Sequence, residues 1–287
     1  MPADPPAVAI IGGSGLCRQD IFPVIDTVRP YTRHGETSDE ISICAYTDSA
    51  GAQRTVAFLP RHGAQHSIAP HQVPYRANIA ALRVLGVTQI LATCIAGSLR
   101  RRVRPGDLVV PDQFVNLTWG RDPEGPAELV HVPMADPYCP RLRGHAIRSG
   151  RTAGLRTHRQ GTAAVIQGPR FSTRAESRWF SRQGWDLVNM TQYPECYLAR
   201  EAGLCYAVFA MITDYDVGVG QRTAFIRHAS LEPVLRVFHR NVEALKSLLA
   251  ATVPRLGQDY DCGCDRPLAA EYYKNRRVHG PAVTGAP

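Results

Sequence analysis

Residues 204–216 read LCYAVFAMITDYD. The unbroken apolar run from Leu204 to Ile212 has the length of a strand, and nothing polar alternates within it, which predicts a strand covered on both faces. Upstream, Pro194 supplies the fixed φ of a first helical turn, Glu195 suits the positive end of a helix dipole, and Gly203 suits a helix stop. A helix feeding a doubly buried strand is the grammar of an α/β domain. Thr191 then stands near a helix N-terminus, where free N–H groups favour an anion, and Asp214 emerges just past the end of the buried strand. A helix cap and a turn would explain the same two residues.

The same grammar recurs outward from this stretch. Residues 7–11 (AVAII) predict a buried strand that runs into Gly12-Gly13-Ser14-Gly15, where glycines permit close backbone approach and successive N–H groups with a Ser hydroxyl form a small anion nest. The motif is neither GxGxxG nor a Walker A loop, and a tight turn accounts for it equally well. Arg54–Leu59 predicts another short strand, ending at Pro60-Arg61-His62-Gly63, where a guanidinium and an imidazole could face a phosphate. Pro74 opens a predicted helix with Ile79, Leu82 and Leu85 at helical spacing, closed by Gly86. Gln89–Thr93 predicts the next strand and Cys94-Ile95-Ala96-Gly97-Ser98 a glycine-bearing turn. Gly106–Asp112 reads as a turn and strand, Arg121–Glu128 as a surface loop, and Leu231–Leu249 as an amphipathic helix. Repeated strand–turn–helix units predict ligand groups gathered at one edge of a sheet.

With 287 residues, 44% of them hydrophobic, the chain can bury a large core, and no low-complexity linker divides it. The first apolar run, Ala7–Ile11, is too short for a signal-peptide core or a membrane span, so a cytoplasmic protein with no membrane partner is expected. A net charge of +8 raises nucleic-acid binding, but the basic residues are almost all Arg, with Lys only at 246 and 274, and are scattered, as on a solvated surface. The eight cysteines show no zinc-finger spacing: the one close pair, Cys262-Gly263-Cys264, has no second pair to match. Buried thiols in a reducing compartment are expected, with the CxC pair left open as a redox-sensitive or disulfide-forming element. Residues 1–6 and 257–287 read as a flexible N-terminal tail and a loosely held, partly disordered C-terminal extension.

Nine segments in order resemble the methylthioadenosine phosphorylases within the trimeric purine nucleoside phosphorylase group. They are Ile11–Leu16 (IGGSGL), Leu59–Gly63 (LPRHG), Gly97–Arg100 (GSLR), Gly106-Asp107 through Asp112-Gln113-Phe114, His131–Pro137 (HVPMADP), Gly168–Glu176 (GPRFSTRAE), Asn189–Thr191 (NMT), Pro194-Glu195 and Thr213–Asp216 (TDYD). The resemblance implies one α/β domain over residues 7–256, a central mixed, twisted and partly barrel-like sheet flanked by helices. It implies phosphorolysis of 5′-methylthioadenosine to adenine and 5-methylthioribose 1-phosphate, with inorganic phosphate as co-substrate and neither metal nor organic cofactor. A related enzyme acting on adenosine, 5′-deoxyadenosine or inosine is the second reading, and a non-catalytic nucleoside binder the third.

Position by position, the resemblance places phosphate on Ser14, Arg61, His62, Thr191 and the backbone near Ile95. The purine would rest near Phe171, with Ser172, Asp214 and Asp216 along its polar edge. Met190 would lie under the ribose, and His131 would reach a neighbouring subunit's 5′-substituent pocket lined by Leu231 and Val234. Catalysis would rest on Asp214, Arg61 and His62, in a homotrimer or a dimer of trimers. The chain departs from the family at Ser14 (usually Thr), at Cys94-Ile95 (commonly Thr-Ala), and at Gln192-Tyr193 and residues 217–220.

Overall fold

The computed structural model describes residues 5–17, 20–121, 131–217, 219, 231–257 and 261–264, the side chains of 231–234 excepted. Among the described residues, eleven strands join in one mixed sheet: β1 (Val8–Gly12), β2 (Val24–Val28), β3 (Ile41–Thr47), β4 (Gln53–Pro60), β5 (Gln89–Ser98), β6 (Leu108–Val109), β7 (Gln113–Leu117), β8 (Thr157–His158), β9 (Thr162–Ile166), β10 (Leu187–Asn189) and β11 (Cys205–Tyr215). The main path runs β2-β3-β4-β1-β5-β10-β9-β7, and a branch leaves β5 through β11 to β6 and β8. The flanking helices are α1 (Tyr75–Val84), α2 (Pro140–Thr152), α3 (Arg174–Arg182), α4 (Gln192–Glu201) and α5 (Leu231–Thr252).

β11 explains why its sequence shows no polar alternation. Tyr206, Val208, Ala210 and Ile212 enter one buried cluster, with side chains of α1 and α4, while Cys205, Ala207, Phe209 and Met211 enter the other, with side chains of α2 and α5. Successive side chains of a strand point to opposite faces, and here both faces are covered by helices. β1 divides in the same way, Ala9 and Ile11 to one side and Val8 and Ile10 to the other.

The expected turn at residues 94–98 is corrected by the structure. β5 continues through Ser98 because this half is paired on both sides, antiparallel to β10 and parallel to β11. Gly97 sits there because a Cβ would come within 3.2 Å of Val188 and 3.6 Å of Asp216. Of the extension expected to be loosely held, residues 261–264 pack on the domain, with Cys264 2% exposed in the α2–α5 cluster, while residues 258–260 and 265–287 lie outside the described residues. Among the described residues no helix is long and apolar enough to cross a membrane.

Candidate active site

Parallel pairing places several polar turns at one end of the sheet. β1 runs parallel to β4 and β5, with Gly12 opposite Pro60 and Ile11 opposite Ala92, so the Gly13–Gly15 turn, the Arg61–Gly63 turn and Thr93 emerge together. β11 runs parallel to β5, and a bulge between Ile212 and Asp214 sets Asp214 opposite Gly97 and Tyr215 opposite Ser98. Ligand sites in open α/β sheets form outside such strand ends.

The Gly13 N–H donates to Thr93 Oγ1 at 2.9 Å, and Ser14 Oγ lies 3.0 Å from His66 Nε2. A Cβ on Gly13 would come within 2.5 Å of the Thr93 carbonyl and 2.9 Å of Arg61 Nη1, so only glycine brings this turn so close to β5. Arg61 is not laid open to an anion as the sequence suggested. It is 1% exposed, and its fork is closed on Glu195, with Nε donating at 2.6 Å and Nη2 at 2.7 Å, while Nη1 donates to the Thr93 carbonyl at 2.9 Å. The Tyr206 hydroxyl adds a bond to Glu195 at 2.6 Å. Burial works against the guanidinium charge, but Glu195 more than offsets it and Arg61 is held more firmly protonated than usual. Arg61 therefore forms the floor behind the glycine turn, and one N–H on each terminal nitrogen remains.

His62 is 6% exposed, and its Nδ1–H donates to the Ile68 carbonyl at 2.8 Å. Burial, reinforced by the Arg61 charge, lowers its pKa to about 4, so at neutral pH the ring is neutral and Nε2 is an acceptor. Thr191, 6% exposed, occupies the N-cap position of α4 without a capping bond from its side chain, which leaves the hydroxyl uncommitted to the helix. The helix is kinked at Tyr193, whose φ and ψ are extended. Ile95, half-buried on β5, is level with Met211 of β11.

At the other side of the cleft, Met190 follows β10 and packs under Gly168, where a Cβ would come within 2.6 Å of the Met190 sulfur and the φ of +62° suits glycine. Arg121 ties these pieces together: it donates to the carbonyls of Met190 at 2.6 Å and Tyr193 at 3.2 Å and to that of Gln167. At 8% exposed it is no part of a surface loop, which corrects the reading of Arg121, while residues 122–130 lie outside the described residues. Phe171 is 82% exposed at the rim of the following turn and Ser172 is 9% exposed.

Two carboxyls close the arrangement. Asp214 accepts from Thr213 Oγ1 at 2.6 Å, yet burial raises its pKa, helped by the nearby Asp216 charge. In the isolated chain Asp214 is an exposed residue whose neighbours nonetheless crowd its carboxyl. Asp216, 8% exposed, is also raised by burial against the pull of Ser177 and Ser172, and its Oδ2 has no hydrogen-bond partner. His131 is exposed on the irregular segment before α2. Leu231 and Val234 lie at the start of α5, but their side chains lie outside the described residues.

Several participants had little signal in the sequence. Glu195, expected as a dipole partner, is the counter-ion of Arg61; Thr93 and His66 join the glycine turn through bonds across strands. The departures at Cys94 and Gln192 prove to be one cluster: the amides of Asn189 and Gln192 donate to Cys94 Sγ at 3.5 and 3.8 Å, and the Tyr138 hydroxyl donates to Gln192. The cysteines, which show no zinc-finger spacing along the chain, include four whose sulfurs all lie within 4.8 Å of one another: Cys139, Cys205, Cys262 and Cys264.

Comparison with known proteins agrees with this fold. The S-methyl-5′-thioadenosine phosphorylase of Thermofilum pendens is 44% identical over 264 residues, 91% of this chain and 96% of that protein. The purine nucleoside phosphorylase of Streptomyces coelicolor is 41% identical over 274 residues, 91% and 94% of the two chains. Among solved structures, a single-substitution mutant of the Schistosoma mansoni adenosine/methylthioadenosine phosphorylase in complex with methylthioadenosine superposes with a TM-score of 0.79 at 35% identity, covering 89% of this chain and 93% of that one. The profile of the Phosphorylase superfamily matches residues 7–254, and the chain belongs to that family.

Proposed function

We propose that the chain catalyses phosphorolysis of 5′-methylthioadenosine to adenine and 5-methylthioribose 1-phosphate. The observation that carries this is the meeting, at one end of the sheet, of an anion-suited turn and a carboxyl with a raised pKa. Phosphate would sit among Ser14, Thr191 and the backbone at Ile95, with the remaining Arg61 donors behind the glycine turn and His62 Nε2 accepting from a protonated phosphate oxygen. Met190 would support the ribose, and Phe171, Ser172, Asp214 and Asp216 the base. As the C1′–N9 bond breaks, its electron pair enters the purine and a cationic ribosyl centre develops. The clamped phosphate stabilises that centre and an oxygen of it bonds to C1′. A protonated Asp214 can donate to N7 of the departing base, which the upward shift of its pKa favours.

An Asp at this place also accepts from a 6-amino group, which favours adenine over hypoxanthine. His131 would approach the 5′-substituent of a neighbouring subunit beside Leu231 and Val234, in a homotrimer or a dimer of trimers acting in the cytoplasm. The purine nucleoside phosphorylase name of the Streptomyces relative supports a second reading, adenosine or inosine as substrate. One panel separates them: methylthioadenosine, adenosine, 5′-deoxyadenosine and inosine, each with and without phosphate, with base and sugar product identified. Adenine and methylthioribose 1-phosphate formed only with phosphate is the expected result. Equal base release without phosphate would overturn phosphorolysis.

A further inference from the structure

Far from this cleft, three separate parts of the chain deliver four sulfurs to one point. Cys139 is the N-cap residue of α2, Cys205 is the first residue of β11, and Cys262 and Cys264 come from the segment beyond α5. Cys139, Cys205 and Cys264 are each 2% exposed, and Cys262 is half-buried. The backbone locks the first two in place, since the Cys139 N–H donates to the Tyr206 carbonyl at 2.9 Å. Gly263 has a φ of +68°, which turns the CxC segment so that both of its sulfurs face inward.

We propose that these four cysteines form a structural tetrathiolate site for zinc. All four sulfurs lie within 4.8 Å of one another, Cys205 and Cys262 are 3.2 Å apart, and all four cysteines are free. Zinc–sulfur bonds of about 2.3 Å set tetrahedral sulfurs about 3.8 Å apart, a spacing these side chains reach with small rotations. A disulfide would draw one pair together to about 2.05 Å. One divalent cation instead engages all four at once: four S–H groups release four protons, four Zn–S bonds form, and nothing is oxidised or reduced.

The resulting double negative charge has company. The positive N-terminal end of α2 faces Cys139. The role is structural because Cys205 and Asp214 stand at opposite ends of β11, roughly 30 Å apart along an extended strand. Zinc would pin residues 261–264 over the junction of α2, β11 and α5, where Cys262 and Cys264 already join the buried cluster.

The test uses the full chain purified without a metal-affinity tag, under reducing conditions. Elemental analysis should find about one zinc per chain, and cobalt(II) exchanged into the chelator-stripped protein should produce thiolate-to-cobalt charge-transfer and tetrahedral ligand-field absorption. The Cys262→Ser/Cys264→Ser variant should lose the zinc and melt at a lower temperature, with kcat/KM unchanged well below its melting point. Zinc-free protein that takes up neither added zinc nor cobalt would overturn the proposal, as would mass spectrometry showing these cysteines joined as disulfides in the reduced preparation. The cobalt spectrum of the unsubstituted chain decides the matter even if the variant fails to fold.

Discussion

Glu195→Gln removes one charge from a place that water does not reach, and its effect can be worked out bond by bond. In the native chain the two Glu195 oxygens accept three bonds, two from Arg61 and one from Tyr206, all between 2.6 and 2.7 Å. A Gln keeps the shape and one oxygen, but its amide donors then face N–H or O–H donors, and the guanidinium loses its counter-charge. Arg61 and Glu195 are 1% and 2% exposed at their side chains, so solvent screening does not soften the loss. Breaking a buried pair from one side costs about 3–5 kcal/mol, and the oxygen that remains places Gln near the lower end. With a urea dependence of about 3 kcal/mol per molar, the midpoint should fall by about 1 M. Circular dichroism during urea unfolding, at fixed protein concentration because assembly would contribute, measures it. The double replacement Arg61→Met/Glu195→Leu should recover most of the lost stability, since it strands no charge. A Glu195→Gln midpoint within about 0.2 M of the parent would refute the assignment of Arg61 and Glu195 as one buried unit.

Asp214→Asn should shift the kcat/KM ratio of methylthioadenosine to methylthioinosine toward the 6-oxo substrate by about one to two decades, and an unchanged ratio would transfer base reading to Asp216 or the Phe171-Ser172 turn. His62 has a folded pKa of about 4 against 6.5 ordinarily, so below pH 6.5 the unfolded chain binds more protons; stability should be lost as pH falls toward 4, by roughly 3 kcal/mol in total, and His62→Gln should flatten that part of the profile. Arg121→Ala leaves the carbonyls of Gln167, Met190 and Tyr193 without their shared donor. The substrate KM should rise about tenfold or more with a smaller change in kcat, and Arg121→Lys, which can reach only part of the set, should fall between; a change in kcat alone would show that Arg121 does not position the Met190 side of the cleft.

Local chemistry in the sequence marked β1, β4, the first half of β5, β6 and β11, and the ends of the cleft. The apolar run at 204–212 reads as a strand buried on both faces, the Gly13–Gly15 and Arg61–His62 turns and Thr191 stand at strand or helix ends, and Asp214 lies one residue before the end of β11. Partnership belonged to the tertiary structure. Residues 94–98 look like a turn until β10 and β11 take up their backbone groups from both sides. Arg61 looks like an open anion clamp until Glu195, 134 residues away, closes its fork. Arg121 looks like loop surface until three carbonyls from distant segments converge on it. The four cysteines show no ligand spacing because their proximity is set by the docking of α2 and of residues 261–264 against β11, a relation between elements that spacing along the chain does not encode.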